Sequence, residues 1–473
     1  MLDFTKYKEA ESVFRFFEEI SKIPRGSANT KKIADYLVKF ANERGLVCHR
    51  DEKDNVIIKK PATKGKEGAP TVIIQGHTDM VIDKTAECKA DLENEGLSLY
   101  IDGDFLKARG TTLGGDDGIF VAYALALLDS SDIEHPNIEA LFTSDEEIGL
   151  IGASAVDQSL LDGRMLINID SDLEGIFTVG CAGGMRTDTH IDVKFDVKED
   201  KLCEISLSGL SGGHSGTEID KGHVNAIKAL SSALLSVSDA RLAYIRGGNA
   251  DNAIPRSCEV SIATALAESE IKTLLEKEIS RLCKAAEPDA LLTVKVAGKG
   301  LVTSAEKTRE ILEFIEKIPS GVIEMSKDIE NLPETSANLG VIKSGKDFID
   351  LCVSIRSSID SSKKRVKEEL MALAEKNSYS FSFRGEYPAW EYRKDSRLRD
   401  TMCKVYRELY QKEPLVITIH AGLECGIFTG KIKDIDCVSI GPDNFDIHTP
   451  EERLSLSSSV RVWEYLKEVL KKI

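Results

Sequence analysis

Apolar residues recur at helical spacing near the start of the chain. Val13, Phe14, Phe16, Phe17 and Ile20 share one face, and Pro24 with Gly26 closes the run. Ile33, Tyr36, Leu37 and Phe40 predict a second helix. Short apolar runs bounded by turn residues then predict strands over Asn55 to Ile58, Thr71 to Ile74, Ile138 to Phe142 and Met165 to Ile169. Between them, Ile119 to Leu128 is apolar at helical spacing. Strands alternating with helices predict an α/β domain with a mostly parallel sheet flanked by helices.

After about residue 186 the pattern changes to longer, charge-rich alternating strands and long helices, as at Lys201 to Leu207, Asn225 to Val237 and Ser361 to Lys376. This predicts an α+β insert of the lid or dimerisation type, long enough for two similar halves, each a sheet with helices on one face. The first style returns with a strand over Cys437 to Ile440 and an amphipathic helix carrying Val462, Trp463, Leu466, Val469, Leu470 and Ile473. Gly385-Glu-Tyr-Pro-Ala-Trp390 marks the return. The expected division is therefore 1–186 with 386–473 as one domain, interrupted by 187–385.

Composition narrows the function classes. The 473 residues suffice for two domains, and 42% hydrophobic with 30% charged residues is the balance of a folded globular protein. A formal net charge of −17 opposes binding to nucleic acid or anionic lipid, and no basic patch offsets it. No apolar run is long enough to span a bilayer, and charges interrupt the N-terminus where a secretory signal would be apolar. Ten scattered cysteines without a C-x-x-C pair read as reduced thiols, so a cytoplasmic location is expected.

Five segments carry candidate chemistry, each at or just after a predicted strand end, where open α/β sheets place ligands. In Ile73-Ile74-Gln-Gly-His77-Thr-Asp79, His77 suits a metal, with Asp79 accepting its other ring proton; an ordinary turn histidine is the bland reading. Gly110-Thr-Thr-Leu-Gly-Gly-Asp116-Asp117-Gly118 lacks the lysine of a phosphate loop, so Asp116 is either a helix N-cap or a ligand bridging two divalent ions. Glu146 and Glu147 follow the Ile138 to Phe142 strand, so that one can reach a metal while its neighbour deprotonates a water. Asp170 ends another strand, and His448 lies in a loop after the last one. Singly these are weak signals. Together, two imidazoles and several carboxylates without thiolates suit zinc or its neighbours in a hydrolytic rather than a structural site.

In these residues the chain resembles the aminoacyl-histidine dipeptidases, also called Xaa-His or carnosinase-type dipeptidases, within the co-catalytic zinc peptidases. The resemblance covers essentially the whole chain. It rests on Gly76-His-Thr-Asp-Met80, Gly110 to Gly118, Thr143-Ser-Asp-Glu-Glu-Ile-Gly149, Gly180-Cys-Ala-Gly-Gly184, Gly209-Leu-Ser-Gly-Gly-His-Ser-Gly216, Ile419-His-Ala-Gly-Leu-Glu-Cys-Gly426 and Ile440-Gly-Pro442. It implies two Zn2+ per chain, with Co2+ or Mn2+ as substitutes: His77 and Asp170 on one, Glu147 and His448 on the other, Asp116 bridging. It also implies Glu146 as general base, His214 polarising the scissile carbonyl, and Asn252 with Arg356 gripping a substrate's C-terminal carboxylate.

His420 is a further candidate for substrate contact, beside the reading of a packed histidine. The histidines at 49, 135, 190 and 223 read as structural or surface. Asp117 departs from the family, where asparagine is common, and adds a charge beside the bridging carboxylate. The implied activity is hydrolysis of short peptides with free C-termini, Xaa-His dipeptides such as carnosine among them. Rival readings are a broader dipeptidase or tripeptidase, an N-acyl amino acid deacylase of the same build, or a binding protein on the same fold. The insert could complete the site within one chain or support a homodimer, and the homodimer is the expectation.

Overall fold

The computed structural model describes residues 2–195, 197–283, 286–327, 329 and 331–473, with the side chains of 197–199 left aside. The chain folds as two compact units, Met1–Cys181 with Tyr392–Thr418 and Leu423–Ile473, and Ala182–Glu391 with Ile419–Gly422.

The first unit is built on an eight-stranded sheet in the order Val47–Arg50, Val56–Lys60, Ile138–Thr143, Val72–His77, Met165–Asn168, Asp436–Ser439, Ile176–Cys181 and Leu415–Ile419. The four central strands, from Ile138–Thr143 to Asp436–Ser439, run parallel. They are buried along their length, which is why they read as largely apolar runs and not as alternation. Their register pairs His77 with Thr143, Gln75 with Asn168 and Asn168 with Ser439, so the carboxyl ends of all four strands lie along one edge. That edge is where the predicted ligand segments emerge. A small antiparallel sheet, Asn444–Phe445, Arg453–Ser455, Phe105–Ala108 and Leu99–Asp102, frames the loop holding His448.

Helix Gly115–Asp129 is apolar all round and almost wholly buried, as a central core helix must be. It packs with Glu11–Ile20 and Leu456–Lys472, and Tyr123 stacks on Trp463 with ring centroids 5.7 Å apart. Leu125 on this helix has no solvent exposure. Leu125→Ala is expected to lower unfolding free energy by about 2–5 kcal/mol, through lost transfer energy plus the residual cavity, as read by urea denaturation.

The second unit carries a nine-stranded sheet, with every described pairing antiparallel. Along the chain, Val197–Ser208, helix Ala226–Leu234, Arg241–Gly247, Cys258–Ala263, helix Glu268–Cys283 and Leu291–Val302 form one strand-helix-strand-strand-helix-strand set. Gly183–Asp192, helix Ala305–Lys317, Pro333–Ser344, Phe348–Ser357, helix Asp360–Lys376 and Ser380–Tyr387 form a second set of the same order. The four strands of each set are neighbours in the sheet, and the helices share a core with it.

Candidate active site

The strand Val72–His77 must deliver an imidazole beside a tightly packed helix start, and glycine makes that approach possible. A Cβ on Gly76 would lie 2.2 Å from Asp117 Oδ2 and 2.4 Å from the Phe120 ring. Gly114, at φ 65°, opens the turn before Asp116, where a Cβ would meet Arg25 and Met80. The Asp116–Asp117 peptide bond is cis.

Asp116 turns its two oxygens to two different imidazoles. Oδ1 lies 3.0 Å from His77 Nε2, and Oδ2 lies 3.1 Å from His448 Nε2. His77 Nε2 is also 3.7 Å from Asp170 Oδ1, and His448 Nε2 is 3.0 Å from Glu147 Oε1. Two ligand-like triads result, His77 with Asp116 and Asp170, and Asp116 with Glu147 and His448. They share one carboxylate. Glu146 joins His77 and Glu147 in a third cluster of the same kind. His448 reaches its position from a left-handed backbone conformation, φ 63°.

On the far side of the His77 ring, Nδ1 lies 3.4 Å from Asp79 Oδ1 and 3.1 Å from the Asp79 carbonyl. Asp79 accepts from Ser27 Oγ at 2.8 Å and from the backbone N–H groups of Glu146 and Glu147 at 3.0 and 3.4 Å. It therefore orients both the imidazole and the acidic loop. Burial opposes the Asp79 charge, but the hydrogen bond and charge of His77 hold its carboxyl below the ordinary range.

The same balance acts on Asp116. Burial disfavours its charge, yet hydrogen bonds to His448 and His77 hold it well below the usual value. A hydrogen bond to Asp116, with the negative charge of nearby Glu147, lifts His448 to about 10. Burial pushes Glu146 up to about 8, against the pull of His77 and with the help of Glu424 and Glu147. Asp117 accepts from the His77 backbone N–H at 3.2 Å, and burial, reinforced by Asp116, pushes its carboxyl well above the carboxylate range.

The residues fit divalent cations. Asp170 is raised by burial and by the neighbouring Asp117, Asp116 and Glu146, so the carboxylates repel one another when nothing positive lies between them. Glu147 Oε1 is buried and has no hydrogen-bond partner among the described residues, although His448 is close. Imidazole nitrogens and carboxylate oxygens, with no thiolate, are the donor set of a zinc-type hydrolytic centre.

The family model for peptidase family M20/M25/M40 matches residues 73–472. The chain belongs to this family. Peptidases of this family are metal-dependent, so this M20 peptidase is a hydrolase of the metallopeptidase class. It is 35% identical to the cytosol non-specific dipeptidase of Escherichia coli (strain K12), across 98% of each chain. It superposes on the solved aminoacylhistidine dipeptidase of Vibrio alginolyticus with a TM-score of 0.90 and 34% identity, covering 98% of this chain and 96% of the other. A tripeptidase of Staphylococcus aureus shares the fold, with a TM-score of 0.60 at 16% identity.

The other candidate residues lie in the second unit of the peptidase. His214 stands on a short ribbon, paired with Ala253, and the Asn252 carbonyl accepts from Ser215 N at 2.8 Å. His214 Nδ1 accepts from Gly216 N at 3.3 Å and Thr217 N at 3.2 Å, which places the proton of the neutral ring on Nε2. Burial, then the charge of Arg356, lowers its pKa. Arg356 is buried, donates to Tyr387 Oη at 3.1 Å, and keeps Nε without a partner among the described residues. Ser336, its register partner, lies 2.7 Å from His420 Nε2 by its hydroxyl. Burial, with Arg356 and His214 nearby, lowers His420 to about 4.

Several residues of the site escaped sequence reasoning. Buried Arg25 donates to the Thr78 carbonyl at 3.1 Å, to the Asp79 carbonyl at 3.3 Å and to the Gly114 carbonyl, tying the His77 strand end to the Asp116 turn. Glu424 accepts from Gln75 Nε2 at 2.5 Å and Thr143 Oγ1 at 2.7 Å. Burial lifts Asp172 to about 7, with Asp116 adding to the rise. Arg25 and Asp172 lie outside the motifs read above, whereas Glu424 lies within Ile419–Gly426 and Glu452 is the second acid after His448-Thr-Pro.

Proposed function

We propose that this peptidase hydrolyses dipeptides with a free C-terminus, Xaa-His dipeptides such as carnosine among them, at a pair of zinc ions. The observation that carries the reading is Asp116, which offers one oxygen to each of two imidazoles and so joins two triads. His77 and Asp170 would hold one ion, Glu147 and His448 the other, with Asp116 between. The ions, for which Co2+ or Mn2+ could substitute, would supply Lewis acidity and a water that ionises near neutral pH.

The chain's own groups do the rest. Glu146 takes the proton of the attacking water and returns it to the leaving amine. Asp79 keeps His77 in one tautomer and raises its basicity. His214 donates its Nε2 proton toward the scissile carbonyl oxygen. Arg356, whose Nε has no partner among the described residues, takes the substrate carboxylate with Asn252, and His420 lines the same region.

The two relatives differ in breadth: one is named as non-specific, the other for aminoacyl-histidine substrates. Dipeptides are common to both. Among the described residues no helix is long and apolar enough to cross a membrane. A cytoplasmic location, as in the name of the Escherichia coli relative, and assembly as a homodimer belong to the same reading. The test is metal content by mass spectrometry together with hydrolysis of carnosine, other Xaa-His dipeptides, Ala-Ala, a tripeptide and an N-acetyl amino acid. Two zinc ions per chain and turnover of the dipeptides are expected. A single ion, or turnover of the N-acetyl compound alone, would overturn the proposal.

A further inference from the structure

Four backbone amides at the turn into helix Gly115–Asp129 converge on one carboxylate. Glu452 Oε2 accepts from Leu113 N and Gly114 N, both at 2.8 Å. Its Oε1 accepts from Gly115 N at 2.8 Å and Asp116 N at 3.3 Å, and from Asn444 Nδ2 at 3.2 Å. Glu452 is 2% exposed.

Backbone amides without an acceptor in regular structure must be satisfied elsewhere, and a convergent set of them attracts an anion. The four amides lie before and at Asp116, whose own backbone is non-helical, φ −82° and ψ 108°. Asp116 turns its oxygens to His77 and His448. The acceptor for the amides comes from outside the turn, from a residue four positions beyond His448.

We infer that Glu452 is a positioning residue: by accepting from the four amides of 113–116 it fixes the turn from which Asp116 faces His77 and His448, and it ties the His448 loop to that turn. Nothing in the reaction touches Glu452. It acts through the geometry of the metal-ligand set, and so rests on the two-ion reading of that set. Glu452→Gln keeps the shape but replaces one acceptor oxygen by an NH2 group that opposes the amides, so the turn loosens while the packing stays filled.

The experiment measures zinc affinity directly, by competition with a chromophoric chelator, with circular dichroism reporting the fold. Glu452→Gln is expected to bind zinc about 10–100-fold more weakly than wild type. Asn444→Ala, which removes one donor to Glu452, is expected to lose about threefold, the worth of one hydrogen bond. In an Asp116→Asn background, Glu452→Gln should cost little further affinity, because its effect passes through Asp116; a general structural role would give the full additional loss. Wild-type affinity in Glu452→Gln, or full additivity with Asp116→Asn, overturns the inference. Should Glu452→Gln not fold, Asn444→Ala decides, wild-type affinity there overturning it. If Asp116→Asn binds zinc as wild type does, the two-ion reading itself fails. If Asp116→Asn is weakened and Glu452→Gln is not, only the role of Glu452 fails.

Discussion

Glu146→Ala is expected to keep near-normal zinc content and to lose about 10²–10⁴-fold in kcat, the usual worth of a positioned general base. The two halves of that expectation come from different features of the loop. Metal retention follows because neither shared-carboxylate triad contains Glu146: one is His77, Asp116 and Asp170, the other Asp116, Glu147 and His448. Loss of turnover follows because a Glu146 carboxylate oxygen lies within 4.8 Å of ligand atoms of His77 and Glu147, one from each triad, and its backbone N–H donates to Asp79 at 3.0 Å. Metal analysis and steady-state kinetics on one preparation separate the two. Unchanged turnover would refute the assignment, whereas loss of zinc would move Glu146 into the ligand set.

His214→Ala is expected to lower kcat by about 10²–10³-fold with little change in KM, the pattern of a lost donor to developing negative charge. The ring is prepared for that task by its own loop. With Nδ1 accepting from Gly216 and Thr217, the neutral tautomer carries its proton on Nε2, and Glu218 fixes the His214 backbone N–H at 2.8 Å. Burial and the charge of Arg356 depress its pKa and so favour the neutral ring. The variant should therefore show a pH profile lowered throughout the neutral region but unchanged in shape there. A new or missing limb near neutrality would assign His214 a proton-transfer role instead, and an unaltered kcat would remove it from the reaction.

Much of the fold was readable because burial writes itself into residue type. The strands Ile138–Thr143 and Met165–Asn168 are covered on both faces, and their apolar runs show it. The helix Gly115–Asp129 announced itself as an apolar stretch of helical length for the same reason. The segments bearing His77, Asp116, Glu146, Asp170 and His448 were legible because each follows a strand or a glycine-rich turn, and because their order resembles that of a known peptidase family.

The chain's pattern by itself determined the α/β class and placed acids and imidazoles at or just after strand ends. Whether Asp116 capped its helix or faced two imidazoles was beyond it, since both need the same residue in the same place. Only the tertiary structure decided that, by setting Asp116 between His77 and His448 in a turn whose amides Glu452 accepts from. Arg25 was silent for a related reason, and Glu424, although within the Ile419–Gly426 motif, gave no sign of its partners. A buried charge is tolerated where distant backbone and side-chain partners satisfy it. Those partners are set by packing across tens or hundreds of residues, which no local spacing records.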